Sequence, residues 1–320
     1  MKFFMAIRLD RVGALASLIA YDYADGDQFS GATMLNLQIP HATTISALRA
    51  RIRSWREDRL SVGFVPTMGA LHDGHLALVQ LAKAQCDRVV ASIFVNPAQF
   101  APGEDFEAYP RTIIDDSQKL TEARCDLVYL PTTDLVYPDG FATTISMAGP
   151  ATGLESDARP HFFNGVATVV AKLLNQVRPD IAVFGEKDYQ QLLVIRQLVR
   201  DLDLGVDIIA GETVRERDGL ALSSRNAYLT ADERQRAGRL NLILKQFAAA
   251  LKAGDSVEQA RLAAYEECQD AFDGVDYVEA RCAASLAPLP AGRLEIPARV
   301  LAAVRLGTTR LIDNCAASPS

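Results

Sequence analysis

The sequence predicts an α/β protein: a parallel sheet covered by helices on both faces, followed by a smaller α+β domain. Three observations carry that expectation. Between Ser61 and Leu202, short β-rich apolar runs alternate with helical patterns, the order that builds parallel sheets. After about Val214 the texture changes to long, charged, alanine-rich helical stretches and then strand-like runs, a segregation typical of α+β domains. The chain has 320 residues, 49% of them hydrophobic, which is enough for two domains sharing a cleft. The expected division is an extension at 1–33, a larger domain at 34–213 and a small C-terminal lid domain at 214–320.

Taken in order, Lys2 and Arg8 precede Val12–Tyr21, an apolar run of signal-peptide length. Asp10 and Arg11 sit just before that run, no clean small-residue cleavage site follows, and Asp22, Asp25 and Asp27 crowd its exit. Disorder or an over-long start is therefore expected for 1–33 in preference to export. Ile45, Leu48, Ile52 and Trp55 recur at helical spacing among Arg51, Arg53 and Arg56, with Thr43 or Thr44 as cap. Ser61–Val65 reads as a short buried strand stopped by Pro66, then His75–Ala84 as a helix. Arg88–Val95 is a second β-rich run ending at Asn96-Pro97, and a polar loop reaches Tyr109-Pro110. A helix near Asp115–Ala123, a strand at Leu127–Leu130, a helix at Gly165–Val177, a strand at Ile181–Phe184 and a helix at Gln190–Leu202 complete the alternation. Beyond it, Ala231–Ala253 and Ser256–Phe272 are helical, and Val275–Ala280, Ala298–Leu306 and Thr309–Ile312 are strand-like.

The net charge of −7 argues against general binding to nucleic acid or an anionic membrane, since no basic excess is available for either. A local cationic pocket for a phosphorylated substrate stays compatible with it. The five cysteines are scattered and never form a CxxC pair, which disfavours a disulfide framework or a cysteine zinc site and fits a reducing cytoplasm. No apolar run reaches the length of a transmembrane helix.

Ligands of parallel sheets bind beyond the carboxyl ends of the strands, which directs attention to Pro66–His75, Asn96–Phe100 and Gly185–Gln191. In the first, His72 and His75 lie three residues apart on the opening turn of a helix. Gly69 and Gly74 allow close backbone approach, and the helix N-terminus offers free N–H groups for a triphosphate. A turn with surface histidines or a zinc pair would also fit a bare HxxH, although no third ligand lies nearby. In the second, Asn96 and Gln99 leave a strand end where neutral amides could orient hydroxyl and carboxylate groups; alone, an Asx turn explains them better. In the third, Lys187 sits at a helix start, where a cation opposes the macrodipole unless an anion lies over it. A solvated lysine is the alternative. A fourth segment, Leu222-Ser223-Ser224-Arg225, sets two hydroxyls beside a guanidinium that can fork onto phosphate oxygens, or it is a helix cap.

The HxGH run after a hydrophobic strand resembles the signature of the nucleotidyltransferase superfamily, and would imply a Rossmann-like sheet. Together, PTMGALHDGH, SIFVNPAQF with YPRT, FGEKDYQQL, DGLALSSRN and RLIDN resemble the pantoate–β-alanine ligase family, in order from about Met34 to Asn314. The resemblance implies condensation of pantoate with β-alanine using ATP and Mg²⁺, through a pantoyl adenylate, by a cytoplasmic homodimer. It implies ATP contacts at Met68, Gly69, Ala70, Leu71, His72, Asp73, Gly74 and His75. Further ATP contacts are implied at Gly185, Glu186, Lys187, Asp188, Val214, Leu222, Ser223, Ser224 and Arg225. His75 would take the proton-donor role, with His72, Lys187 and Arg225 on the phosphates. Gln99 and Gln191 would hold pantoate, beside Asn96, and Asp115 and Asp116 stand where the family has acidic residues near magnesium. Arg159-Pro160-His161-Phe162-Phe163-Asn164-Gly165-Val166 departs from the family's usual RPGHFRGV. A different HxGH nucleotidylyltransferase is the alternative that the superfamily motif alone would allow.

Overall fold

A computed structural model describes residues 37–100 and 104–319; the expectation made for 1–33 lies outside them. Six strands form the larger sheet: β1 (His41–Ala42), β2 (Val62–Thr67), β3 (Arg88–Ile93), β4 (Leu127–Tyr129), β5 (Ile181–Gly185) and β6 (Asp207–Gly211). Their spatial order is β1-β4-β3-β2-β5-β6, with every pairing parallel. The helices between them are α1 (Ile45–Glu57), α2 (Asp73–Lys83), α3 (Ile113–Glu122), α4 (Thr133–Val136), α5 (Glu155–Ala158), α6 (Phe162–Val177) and α7 (Tyr189–Asp201).

Side-chain alternation explains the layering. Phe64 and Val90 enter a core shared with Leu48, Val166 and Ile195, while Val65, Val89 and Ala91 enter a second core with Val79 and Leu120. Successive residues of a strand point to opposite faces, so strands buried on both sides read as continuous apolar runs. The expected α/β class is the observed one. The cap of α1 is Thr44, whose hydroxyl accepts from the Ala47 N–H at 3.2 Å.

Pro66 does not end its strand, contrary to expectation. It pairs with Ser92 in the register of β2 and β3, whereas β2 meets β5 only at Gly63 and Phe64. Past Phe64 the two strands have parted, so on that side no ladder bond is lost to the missing N–H. Strands β1 and β6 were not anticipated. The first has two residues, and the second opens on Asp207 and closes on Gly211, so neither gives an apolar run.

The C-terminal part contains α8 (Ala231–Ala237), α9 (Arg239–Ala253), α10 (Val257–Ala271) and an antiparallel sheet of β7 (Gly274–Cys282), β8 (Ala298–Leu306) and β9 (Thr309–Ala317). Its core joins Leu240, Leu244 and Phe247 to Val300, Ala302 and Val304. The stretch expected as one helix at Ala231–Ala253 is two, divided at Gly238. A small apolar group (Leu154, Leu193, Leu286, Leu301) and a double ion pair of Arg310 with buried Glu155 bridge the two sheets' cores. The residues from Leu37 onward form one compact unit by their contacts.

Candidate active site

The chain crosses from one side of β2 to the other between β4 and β5, so the carboxyl ends of β2 and β5 flank a topological switch point, where parallel sheets bind ligands. A cavity of about 930 Å³ opens there, and Met68, His72, His75, Gln99, Lys187 and Arg225 all line it. Its far wall comes from the C-terminal part, including Asn314.

The histidine turn is built by reciprocal capping at the start of α2. His72 Nδ1 accepts from the Gly74 N–H at 3.2 Å, and His75 Nδ1 accepts from the His72 N–H at 3.4 Å. The two rings lie 4.1 Å apart between centroids. A Cβ at position 74 would stand 2.8 Å from His72 Cε1, so only glycine lets the ring fold over the helix start. With both Nδ1 atoms accepting, the bonding pattern puts each neutral ring's proton on Nε2. Burial, then the Lys187 charge, lowers His72 to about 4; burial, then its neighbour His72, lowers His75 to about 3. Both rings are neutral hydrogen-bond donors at neutral pH.

The amides are set by α6. Gly165 packs so tightly on the 3-10 turn Pro97–Gln99 that a Cβ there would lie 2.1 Å from the Ala98 carbonyl oxygen. Asn96 donates to Gln99 Oε1 at 3.1 Å and to the Gly165 carbonyl at 3.3 Å, while its oxygen accepts from the Tyr137 hydroxyl and the Ala98 N–H. Each polar atom of Asn96 is thus engaged within the protein. It holds Gln99 through the bond to its Oε1 and also lines the cavity. Gln191 lines the same cavity from the first turn of α7.

Lys187 lies in the 3-10 turn Glu186–Asp188 after β5, and among the described residues its ammonium has no hydrogen bond or ion pair. Across the cavity, Ser224 donates to the Ala70 carbonyl at 3.0 Å and ties its segment to the histidine turn. Ser223 caps the following 3-10 turn by accepting from the Arg225 N–H at 3.3 Å. Leu222 N–H bonds the Val214 carbonyl at 3.0 Å, which brings Val214 to the cavity wall. Arg225 itself is forked onto Asp105, at 3.0 and 2.8 Å, so a carboxylate occupies the guanidinium face expected to take phosphate.

Similarity to known proteins decides the family. The family model described as pantoate-beta-alanine ligase matches residues 41–316. A protein named pantothenate synthetase from Maricaulis maris is 72% identical over 286 residues, covering 89% of this chain and 99% of its own length. The chain belongs to the pantoate–beta-alanine ligase family. Another pantothenate synthetase, from a Bradyrhizobium strain, is 55% identical over 86% of this chain and 97% of its own. The crystal structure of pantothenate synthetase from Thermus thermophilus superposes with a TM-score of 0.81 at 45% identity, over 87% of this chain and 99% of that one. A pantoate-beta-alanine ligase from Francisella tularensis, complexed with beta-gamma ATP and beta-alanine, gives 0.72 at 34% identity, over 87% and 97%.

Some residues that family resemblance singled out stand apart from the cavity. Asp116 is buried and accepts from the Ala70 and Leu71 N–H groups at 3.0 and 2.7 Å and from the Thr112 hydroxyl at 3.1 Å. It holds the left-handed backbone at Gly69 and Ala70 in place. Asp115 has a side chain 61% exposed and pairs with Lys119 at 2.7 Å. Both carboxylates are engaged by donors of the protein, and among the described residues no group of three or more His, Cys, Asp or Glu side chains could hold an ion. Glu186 turns to Arg299 at 3.2 Å, and Asp73 is exposed on α2. Gly69, Ala70 and Leu71 shape the turn from behind the cavity wall.

Sequence reasoning missed Arg159, Asp105 and Tyr109, all of which line the cavity. Arg159 grips Glu104 through two bonds of 2.7 Å and donates to the Gln99 carbonyl at 2.9 Å, fastening the loop from below. The departure from the family pattern at 159–166 therefore keeps its arginine at work, and its Gly165 lies against the Gln99 turn. A conspicuous arginine beside an altered motif was the available signal.

Proposed function

We propose that the chain joins (R)-pantoate to β-alanine at the expense of ATP, releasing AMP and pyrophosphate by way of pantoyl adenylate. One observation carries the reading: neutral imidazoles, an ammonium with no partner among the described residues and two carboxamides all face one cavity at the sheet's switch point. In the first step a pantoate carboxylate oxygen attacks the α-phosphorus, and the bond from that phosphorus to the bridging β-phosphate oxygen breaks. Charge spreads onto phosphate oxygens, where the Nε2–H groups of His72 and His75 donate and Lys187 neutralises. Arg225 joins them by exchanging Asp105 for phosphate, since guanidinium forks match either anion. Gln99 and Gln191 orient pantoate without adding charge that would repel the nucleotide. The β-alanine amine then attacks the acyl carbon, AMP departs with the bonding pair, and the new amide nitrogen loses its proton. Residence in the cavity would limit the exposure of the mixed anhydride to water.

Magnesium belongs to the nucleotide in this account, carried on phosphate oxygens as is usual for that ion. Assembly as a cytoplasmic homodimer is what the family resemblance supports, together with five unpaired cysteines. Among the described residues no helix is long and apolar enough to cross a membrane. Product analysis tests the reaction: pantoate, β-alanine and ATP should yield pantothenate with AMP and pyrophosphate. ADP and phosphate would instead indicate an acyl phosphate and overturn it.

A further inference from the structure

The RLIDN run near the chain's end has no part in the chemistry above, yet it reaches the cavity from the opposite sheet. Its last residue, Asn314, is buried on β9 and donates through one amide nitrogen to two consecutive carbonyls, Glu186 at 3.0 Å and Lys187 at 2.8 Å. Those carbonyls belong to the turn that carries the Lys187 ammonium, and the turn has no side-chain cap at Gly185. Asn314 is itself oriented: its oxygen accepts from Arg299 Nε at 2.5 Å, and Arg299 also reaches Glu186 at 3.2 Å while lying 4.2 Å over the Tyr189 ring. Its neighbour Asp313 forks with Arg215 at 2.7 and 2.9 Å, at the root of the segment that ends in Arg225.

We propose that Asn314, held by Arg299, is a positioning residue that fixes the backbone of the Lys187 turn so that the ammonium meets the reacting phosphate. A lysine at a helix start works against the helix dipole, so its place in the cavity must be imposed by the backbone beneath it. Two carbonyls in a row, clamped by one rigid amide whose own rotamer is locked by a guanidinium, impose it. The C-terminal sheet thereby supplies part of the chemistry of the larger sheet without touching substrate.

This inference rests on Lys187 acting in adenylation, and a double-mutant cycle separates the two. Pantoate-dependent exchange of pyrophosphate into ATP is measured for Asn314→Ala, Lys187→Ala and the double variant, with melting temperatures as a check on folding. Asn314→Ala alone should slow exchange by about ten- to a hundredfold at saturating substrates with KM for ATP little changed. Added to Lys187→Ala it should cost nothing further, because the group it positions is gone. If Asn314→Ala melts below the assay temperature, Arg299→Lys, which keeps the charge but lacks the fork, should show the same non-additivity. Equal losses in both backgrounds, or a rise in KM for ATP with unchanged turnover, would overturn the positioning role. Normal exchange by Lys187→Ala would instead overturn the assignment of Lys187 itself.

Discussion

In the proposed reaction, neutral histidines beside a lysine would divide the work at the phosphate: Lys187 would bring charge, and His72 and His75 directed donors that add none. Loss of a preorganised donor costs about 3 kcal/mol of transition-state stabilisation, roughly a hundredfold in rate. Lys187→Ala and His75→Ala should each lower pyrophosphate exchange by about that factor. Native circular dichroism in both would show the loss to be chemical; near-normal exchange in folded variants would remove these groups from the phosphate site. The lowered values, about 4 for His72 and about 3 for His75, also fix a pH dependence. The folded chain resists protonation that the unfolded chain, with ordinary histidines near 6.5, accepts. Their contribution to stability is therefore complete above about pH 6.5 and is lost as pH falls towards 4 and then 3. By NMR, the His72 and His75 imidazoles should keep neutral-form shifts at about pH 5. Titration of His72 and His75 near 6.5 would contradict the buried, lysine-flanked arrangement.

Elements place these groups, and a single contact between α6 and the Gln99 turn shows how. With the Ala98 carbonyl 2.1 Å from where a Cβ would sit, Gly165→Ala must push the turn away. Overpacking of this kind costs about 1–3 kcal/mol of stability. Because Gln99 rides on the displaced turn, KM for pantoate should rise while ATP affinity by calorimetry stays near its original value. Loss of ATP binding with pantoate KM unchanged would detach Gln99 from the hydroxy acid. Asn96, Gln99 and Gly165 were each visible as residues in the sequence. Their mutual arrangement was not, because it depends on a contact between Asn96 and Gly165, 69 positions apart in the chain. The contacts of the Asp115-Asp116 pair were hidden for the same reason. A carboxylate one helical turn before Lys119 looks available until the fold brings the Ala70 and Leu71 N–H groups onto Asp116.

At the scale of the whole molecule, the alternating apolar runs predicted the parallel sheet because its strands are buried on both faces. The strands it omitted, β1 and β6, are the sheet's edges, where less burial leaves a weaker pattern. The C-terminal segments were legible as helices and strands, but not their reach into the cavity, since the bonds from Arg310, Arg299 and Asn314 span more than a hundred residues. The Asp105–Arg225 pair likewise joins the two halves, and its carboxylate holds the place that the proposed account gives to phosphate. All of this serves one claim, that pantoate is adenylated before β-alanine takes part. Exchange of labelled pyrophosphate into ATP, followed with pantoate present and β-alanine withheld, addresses it most directly. The account predicts exchange that requires pantoate and needs no amine; exchange without pantoate, or none until β-alanine is added, would contradict it.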